Sequence, residues 1–246
     1  MNRRQLLERA AAVPIAGAVA ACSSTGRSTS ARRVTGPGRM TLADLEAQLQ
    51  GPLLRPGTSH YAAAHVISNE VYADLQPRAI ARVVREHDVA ACVRFAAQSP
   101  LPFAVRSGGH SYAGYSTNQG LVCDVRRLNT IRIAADGRSV TVGAGVLAID
   151  LVTTLAAHGL AVPTGSCPTV GVAGLALGGG VGFAARTMGA TCDNVLGVRI
   201  VTANGVAVTA DATTNPDLYW ACSGGGGGNF GVVTALTFAT HPVGAA

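Results

Sequence analysis

Arg106-Ser107-Gly108-Gly109-His110-Ser111-Tyr112-Ala113-Gly114 and Gly165-Ser166-Cys167-Pro168-Thr169-Val170-Gly171-Val172-Ala173-Gly174-Leu175-Ala176-Leu177-Gly178-Gly179-Gly180 are the two stretches that decide the reading of this chain. Each sets one nucleophilic side chain, an imidazole or a thiol, among residues stripped of side chains. Glycine lets backbone turn with positive φ and come close to a ligand. Successive free N–H groups in such loops form anion-binding nests. The pattern points to a phosphate-bearing cofactor held beside His110 and Cys167.

Composition agrees with a packed domain. Of 246 residues, 48% are hydrophobic and 13% charged, which argues against disorder. Glycine accounts for 31 residues, above the ~7% average, and clusters in a few loops, as site construction requires. Aromatics are only 4%, thin for a chain that must cradle an organic substrate by itself. The net charge is +6, but Arg3, Arg4, Arg9, Arg27, Arg32, Arg33 and Arg39 crowd the first forty positions against Glu8 alone. The rest carries equal numbers of cations and anions, so no nucleic-acid-binding face is expected.

Residues 1–22 read as an export signal: Arg3-Arg4, then an apolar stretch from Ala10 to Ala21 too short to span a bilayer. The arginine pair resembles a twin-arginine leader. Val19-Ala20-Ala21-Cys22 reads as a lipobox with Cys22 as the lipidated terminus, the only membrane attachment expected. Ala18-Val19-Ala20 offers simple cleavage and secretion instead, and an uncleaved leader is the third reading. Residues 23–52 read as a linker with a short helix. Cys92, Cys123, Cys192 and Cys222 read as buried small hydrophobes, with a disulfide among them left open. No metal-ligand spacing occurs, so no metal is expected.

Along the chain, Thr41 caps a helix that Gly51-Pro52 ends. Pro77 opens a second helical candidate through Ile80, Val83, Val84, His87 and Cys92-Val93. Strands are expected at 101–105 and 121–125. Hairpins are expected around Asp136-Gly137 and Asn204-Gly205, a helix over 147–158, a helical turn from Asn215-Pro216 and a last strand over 232–238. Helix–strand alternation followed by hairpins argues α+β with two subdomains. The order does not fit a Rossmann nucleotide fold, whose glycine fingerprint follows an initial strand.

Imidazole and thiolate are both good nucleophiles. An isoalloxazine ring is electrophilic at its 8α-methyl group and at carbon 6, so His110 and Cys167 could each bond to one. Read alone, either residue is more readily a structural one, and Asp193-Asn194 is equally a turn pair or a flavin contact.

Taken together, these residues resemble the FAD-binding domain of the berberine-bridge-enzyme-like oxidases, within the vanillyl-alcohol-oxidase/PCMH superfamily. The likeness runs from about Leu53 to His241. It includes Pro77-Arg78-Ala79-Ile80, the two glycine stretches, Cys192-Asp193-Asn194-Val195-Leu196 and Asn229-Phe230-Gly231-Val232-Val233. It implies a PCMH-type FAD-binding domain of two α/β subdomains over residues 53–246, divided near residue 130. It implies FAD bonded through His110 at 8α, with Cys167 matching the position of a second bond at carbon 6. Arg106, Ser107, Gly108, Gly109, His110, Ser111 and Gly114 would bind pyrophosphate. Gly165, Val170, Gly171, Gly174, Gly178, Gly179, Asn194, Gly231, Val232 and Val233 would flank the ring, ribose or adenine.

The resemblance further implies oxidation of an alcohol, sugar or related small molecule, with hydride passing to flavin N5 and molecular oxygen as acceptor. Two departures stand out. Many relatives carry Arg near Ser223. Relatives also continue well beyond the equivalent of Ala246 into a C-terminal substrate domain that supplies the catalytic base, so this sequence names no base and no substrate. That domain is expected to be missing or on a separate chain. An exported non-enzymatic flavin-binding or redox-relay protein, or a non-functional fragment, are the competing readings.

Overall fold

A computed structural model describes residues 39–244. The chain enters through α1 (Leu42–Glu46), where Thr41 and Asp44 form a reciprocal capping box. The first sheet holds β1 (Leu53–Leu54), β2 (Ala79–Arg82), β3 (Phe103–Arg106) and β4 (Leu121–Asp124) in the order β1-β2-β4-β3. β2, β4 and β3 run parallel, and β1 closes one edge antiparallel. The helix α2 (Tyr61–His65) lies between β1 and β2 in sequence, and α3 (Glu86–Gln98) connects β2 to β3.

Helix does not begin at Pro77 as the periodicity suggests. Residues 79–82 are strand, and α3 starts at Glu86. Ala79, Ile80 and Ala81 are each fully buried, and a continuous apolar run is what a parallel strand covered on both faces requires. A short apolar run fits either period, so spacing alone misassigned it.

The second sheet is antiparallel. It comprises β5 (Ile131–Ile133), β6 (Ser139–Gly143), β8 (Val195–Val201), β9 (Ala207–Asp211) and β10 (Val232–Ala239), in the order β5-β6-β10-β8-β9. Gly137 and Gly205 adopt the left-handed conformation in the two expected turns. Between β6 and β8 come α4 (Ala148–Ala156), the two-residue β7 (Leu160–Ala161), α5 (Val172–Leu177) and α6 (Ala185–Met188). The helix α7 (Pro216–Cys222) precedes β10, and β11 (His241–Pro242) pairs with β7. The α5 helix occupies the middle of the second glycine stretch, where the sequence reading expects no helix.

The sheets change over between Asp124 and Ile131, and α3 packs on β8 and β10 as well as β4. One apolar cluster therefore runs from Leu45 and Val89 through Phe95 to Leu236 and Phe238. Asp88, fully buried near the start of α3, accepts the amides of Gln50, Gly51 and Val84 and the Arg85 side chain. Burial alone would raise its carboxyl pKa; the four donors outweigh that and hold it below the ordinary value. Through these contacts residues 39–52 belong to the same body as the domain.

Cys92, Cys123 and Cys222 are buried as expected, but Cys192 is half-exposed. It follows the glycine run onto a surface turn, where its neighbour Asp193 is exposed. All five described cysteines carry free thiols.

Candidate functional site

Parallel strand β3 ends at Arg106 and delivers the first glycine stretch to the carboxyl edge of its sheet, where open α/β sheets place ligands. The amides of Ser107, Gly108, Gly109, His110 and Ser111 donate no hydrogen bond elsewhere in the described chain. Five free donors in a glycine loop fit a polyanion, which supplies the acceptors that buried or half-buried amides need.

The second stretch is packed against the first. A Cβ on Gly108 would lie 2.3 Å from the Gly171 amide nitrogen, and one on Gly171 would lie 2.1 Å from Ser107 Oγ. The Ser107 hydroxyl donates to the Ala144 carbonyl at 2.6 Å, tying the loop to the segment after β6. The amide of Ala148, at the start of α4, donates to the Val170 carbonyl. These contacts bring His110 and Cys167 to one hydroxyl. Thr169 Oγ1 is 2.8 Å from His110 Nε2 and 3.7 Å from Cys167 Sγ.

Among the five described cysteines, Cys167 is the exposed one. The Cys123 thiol is pushed up by its hydrogen bond with Cys92 and by burial, Cys222 by burial, and Cys192 by burial and the Asp193 carboxylate. A raised thiol is a poorer nucleophile at neutral pH, and Cys92 is buried, which leaves Cys167 as the exposed sulfur.

Beyond Cys167, α5 leads to Gly178-Gly179-Gly180. The Gly226 amide donates to the Leu177 carbonyl at 2.7 Å, which latches the five-glycine loop onto the end of α5. A Cβ added at Gly174, Gly179, Gly227 or Gly228 would meet no atom within 4 Å, so these positions border open space. The Gly226–Val232 segment also closes a cleft of about 640 Å³ with Val93, Ala97, Phe103, Val105 and Tyr115.

Several assigned residues turn inwards. Arg106 is buried; its Nε donates to the Ser116 carbonyl and its Nη1 to the Ala64 carbonyl, while Nη2 has no partner. Burial lowers this guanidinium to about 10, against the opposing pull of Asp124. Its carbonyl accepts the Val125 amide, so the Arg106 side chain and carbonyl are both used within the fold. Gly114 is buried, with the space beside it filled by the Tyr72 ring. Both Asn194 donors are engaged by the carbonyls of Met188 and Ala190, and its oxygen faces His241 Nε2 at 2.6 Å. This is the turn reading of Asp193-Asn194. Gly165 lies against the Leu175 side chain and Gly178 caps the end of α5, while Gly231 packs on the Val201 carbonyl and Val232 and Val233 are buried in β10. Thr169 and the cleft residues Phe103 and Tyr115 carried no sequence assignment. A hydroxyl two residues after the thiol was the available signal for Thr169.

The family profile of the FAD binding domain matches residues 77–211, more than half of the chain. The chain belongs to this family. It is the FAD-binding part of the vanillyl-alcohol-oxidase/PCMH type, which includes berberine-bridge-enzyme-like proteins. It is 43% identical over 189 residues to (R)-6-hydroxynicotine oxidase of Paenarthrobacter nicotinovorans, covering 76% of this chain and 41% of that one. Physcomitrella patens BBE-like 1 superposes with a TM-score of 0.79 at 37% identity, over 84% of this chain and 45% of that chain. Glucooligosaccharide oxidase from Acremonium strictum, which carries a 6-S-cysteinyl, 8α-N1-histidyl FAD, superposes at 0.74 with 29% identity, over 80% and 42%. The FAD-binding chain spans about two fifths of the length of the curated relatives it matches.

Proposed function

We propose that this FAD-linked oxidoreductase domain attaches its flavin covalently through His110, with Cys167 forming a second bond at carbon 6. The carrying observation is the convergence of both nucleophiles on Thr169 beside five free amides. The amides of 107–111 hold the pyrophosphate, Gly174 and Gly179 leave room for the ring, and the cleft under Gly226–Val232 takes the adenine end. Bound flavin supplies hydride acceptance at N5 and passes two electrons on, with molecular oxygen as the proposed acceptor.

This chain's residues bind and orient the ring. The substrate, an alcohol, sugar or related small molecule, is selected by groups outside residues 39–244, on a further region or a separate chain. The export segment, residues 1–22, also lies outside the described residues. We place the protein beyond the cytoplasm, through a twin-arginine leader and either a lipid anchor on Cys22 or cleavage.

Acid precipitation tests the attachment. Flavin colour and fluorescence are expected to stay with the protein, to fall in His110→Ala and to change spectrum in Cys167→Ala. A colourless pellet under a yellow supernatant overturns the covalent reading, and a pellet and supernatant both without flavin overturn FAD binding by this chain.

A further inference from the structure

One side chain touches both nucleophiles, and the reading above gives it no chemical task. A threonine hydroxyl has one proton and two lone pairs. At 2.8 Å from His110 Nε2, Thr169 Oγ1 can accept the Nε2 proton and still direct its own proton toward Cys167 Sγ at 3.7 Å. A hydroxyl can accept from a ring nitrogen or donate to it, and the accepting role is the one that leaves its own proton for the Cys167 sulfur. His110 Nδ1 makes no hydrogen bond to the described chain, so in this arrangement Nδ1 holds the free lone pair. We propose that Thr169 is a positioning residue: it fixes the Nε2–H tautomer of His110 and thereby makes Nδ1 the atom that bonds the flavin. This rests on the covalent reading above.

The step balances as follows. The 8α-methyl carbon loses one proton, the imidazole loses its Nε2 proton, and the Nδ1–carbon bond forms. Two electrons remain on the ring, and molecular oxygen takes them with both protons as hydrogen peroxide. Once Nε2 has lost its proton it becomes an acceptor, and the Thr169 hydroxyl reverses to donate to it. An aliphatic side chain of the same shape can do neither. A purely structural contact between the loops would need only the shape.

The test compares Thr169→Val, which keeps the shape, with Thr169→Ser, which keeps the hydroxyl. Long-range proton–nitrogen NMR on the flavin-free chain is expected to show His110 protonated at Nε2 in the unmodified chain and in Thr169→Ser. The preference should be lost in Thr169→Val while its thermal transition stays in place. On adding FAD, acid-stable flavin should form about tenfold more slowly in Thr169→Val, the scale of losing an orienting partner, with peptide mapping finding both nitrogens substituted. Thr169→Ser should restore rate and linkage. A ring protonated at Nδ1 in the unmodified chain, or a Thr169→Val variant with unchanged tautomer and linkage, overturns the proposal. A tautomer that responds to Thr169, in a chain that never attaches flavin, supports the claim about the ring and overturns the covalent reading alone.

Discussion

Gly108 and Gly171 press against each other so closely that a Cβ on either would fall 2.3 or 2.1 Å from the opposing chain, whereas Gly174 and Gly227 look into space that no protein atom enters within 4 Å. The residue type is the same, and sequence cannot separate the two uses. The first pair joins the His110 loop to the Cys167 loop; the glycine is there for the fold. The second pair borders open space, which the proposed flavin would use. The difference predicts opposite responses to one added methyl group.

The largest effect belongs to the packed pair. Gly171→Ala drives a methyl into Ser107 Oγ and the Gly108 amide, and backbone cannot rotate away as a side-chain tip can. Overpacking of this kind costs about 3 kcal/mol. Thermal unfolding of the flavin-free chain should show that loss, and His110 and Cys167 should no longer share Thr169. A Gly171→Ala variant as stable as the parent would break the comparison at its root.

Gly179 stands between the two classes. Its surroundings are open, but its φ of +108° is one that L-residues rarely adopt. Gly179→Ala should cost about 2 kcal/mol from backbone strain alone. Because strain and not contact is at issue, Gly179→Ser should cost the same. A large gap between the two variants in thermal unfolding would show that a neighbour, and not φ, sets the cost.

How much of this could be read in advance follows the same division. The hairpin at Asp136-Gly137, the one at Asn204-Gly205 and the Thr41 cap are local devices, each set by a few adjacent residues. They were legible. The strand at Ala79–Arg82 was not, because Ala79 and Ala81 pack into the cluster that holds α3 while Ile80 packs with Tyr61 and Ala64 of α2. Residues His110 and Cys167 stood out by type and by their glycine settings. Thr169 did not, since what singles it out is a contact with His110 made across 59 positions of sequence. The burial of Arg106 and the inward use of Asn194 were hidden for the same reason. Their partners Ser116, Ala64 and His241 are brought in by the fold.

The smallest effects on stability lie at the open positions, and there the sign turns. Gly174 is exposed within α5 and has no positive φ. Alanine is the better helix former by up to about 1 kcal/mol, so Gly174→Ala should stabilise the flavin-free chain by roughly that amount. Gly227 lies in a loop with the same open surroundings, and Gly227→Ala should stay within about 0.5 kcal/mol of the parent. If the space beside Gly174 is where the ring lies, its methyl must compete with the ligand. The gain in thermal stability should then come with roughly tenfold weaker flavin retention, the effect of an added ~1.4 kcal/mol of crowding. Titration of FAD against the two variants, followed by flavin fluorescence, separates the possibilities. Retention lost in Gly174→Ala and kept in Gly227→Ala places the ring over α5. Loss in both extends the ligand to the five-glycine loop, as an FAD whose adenine end reaches the cleft requires. Retention unchanged in both would mean that open space around these glycines is merely surface, and that the flavin is held by the 107–111 amides and His110 alone.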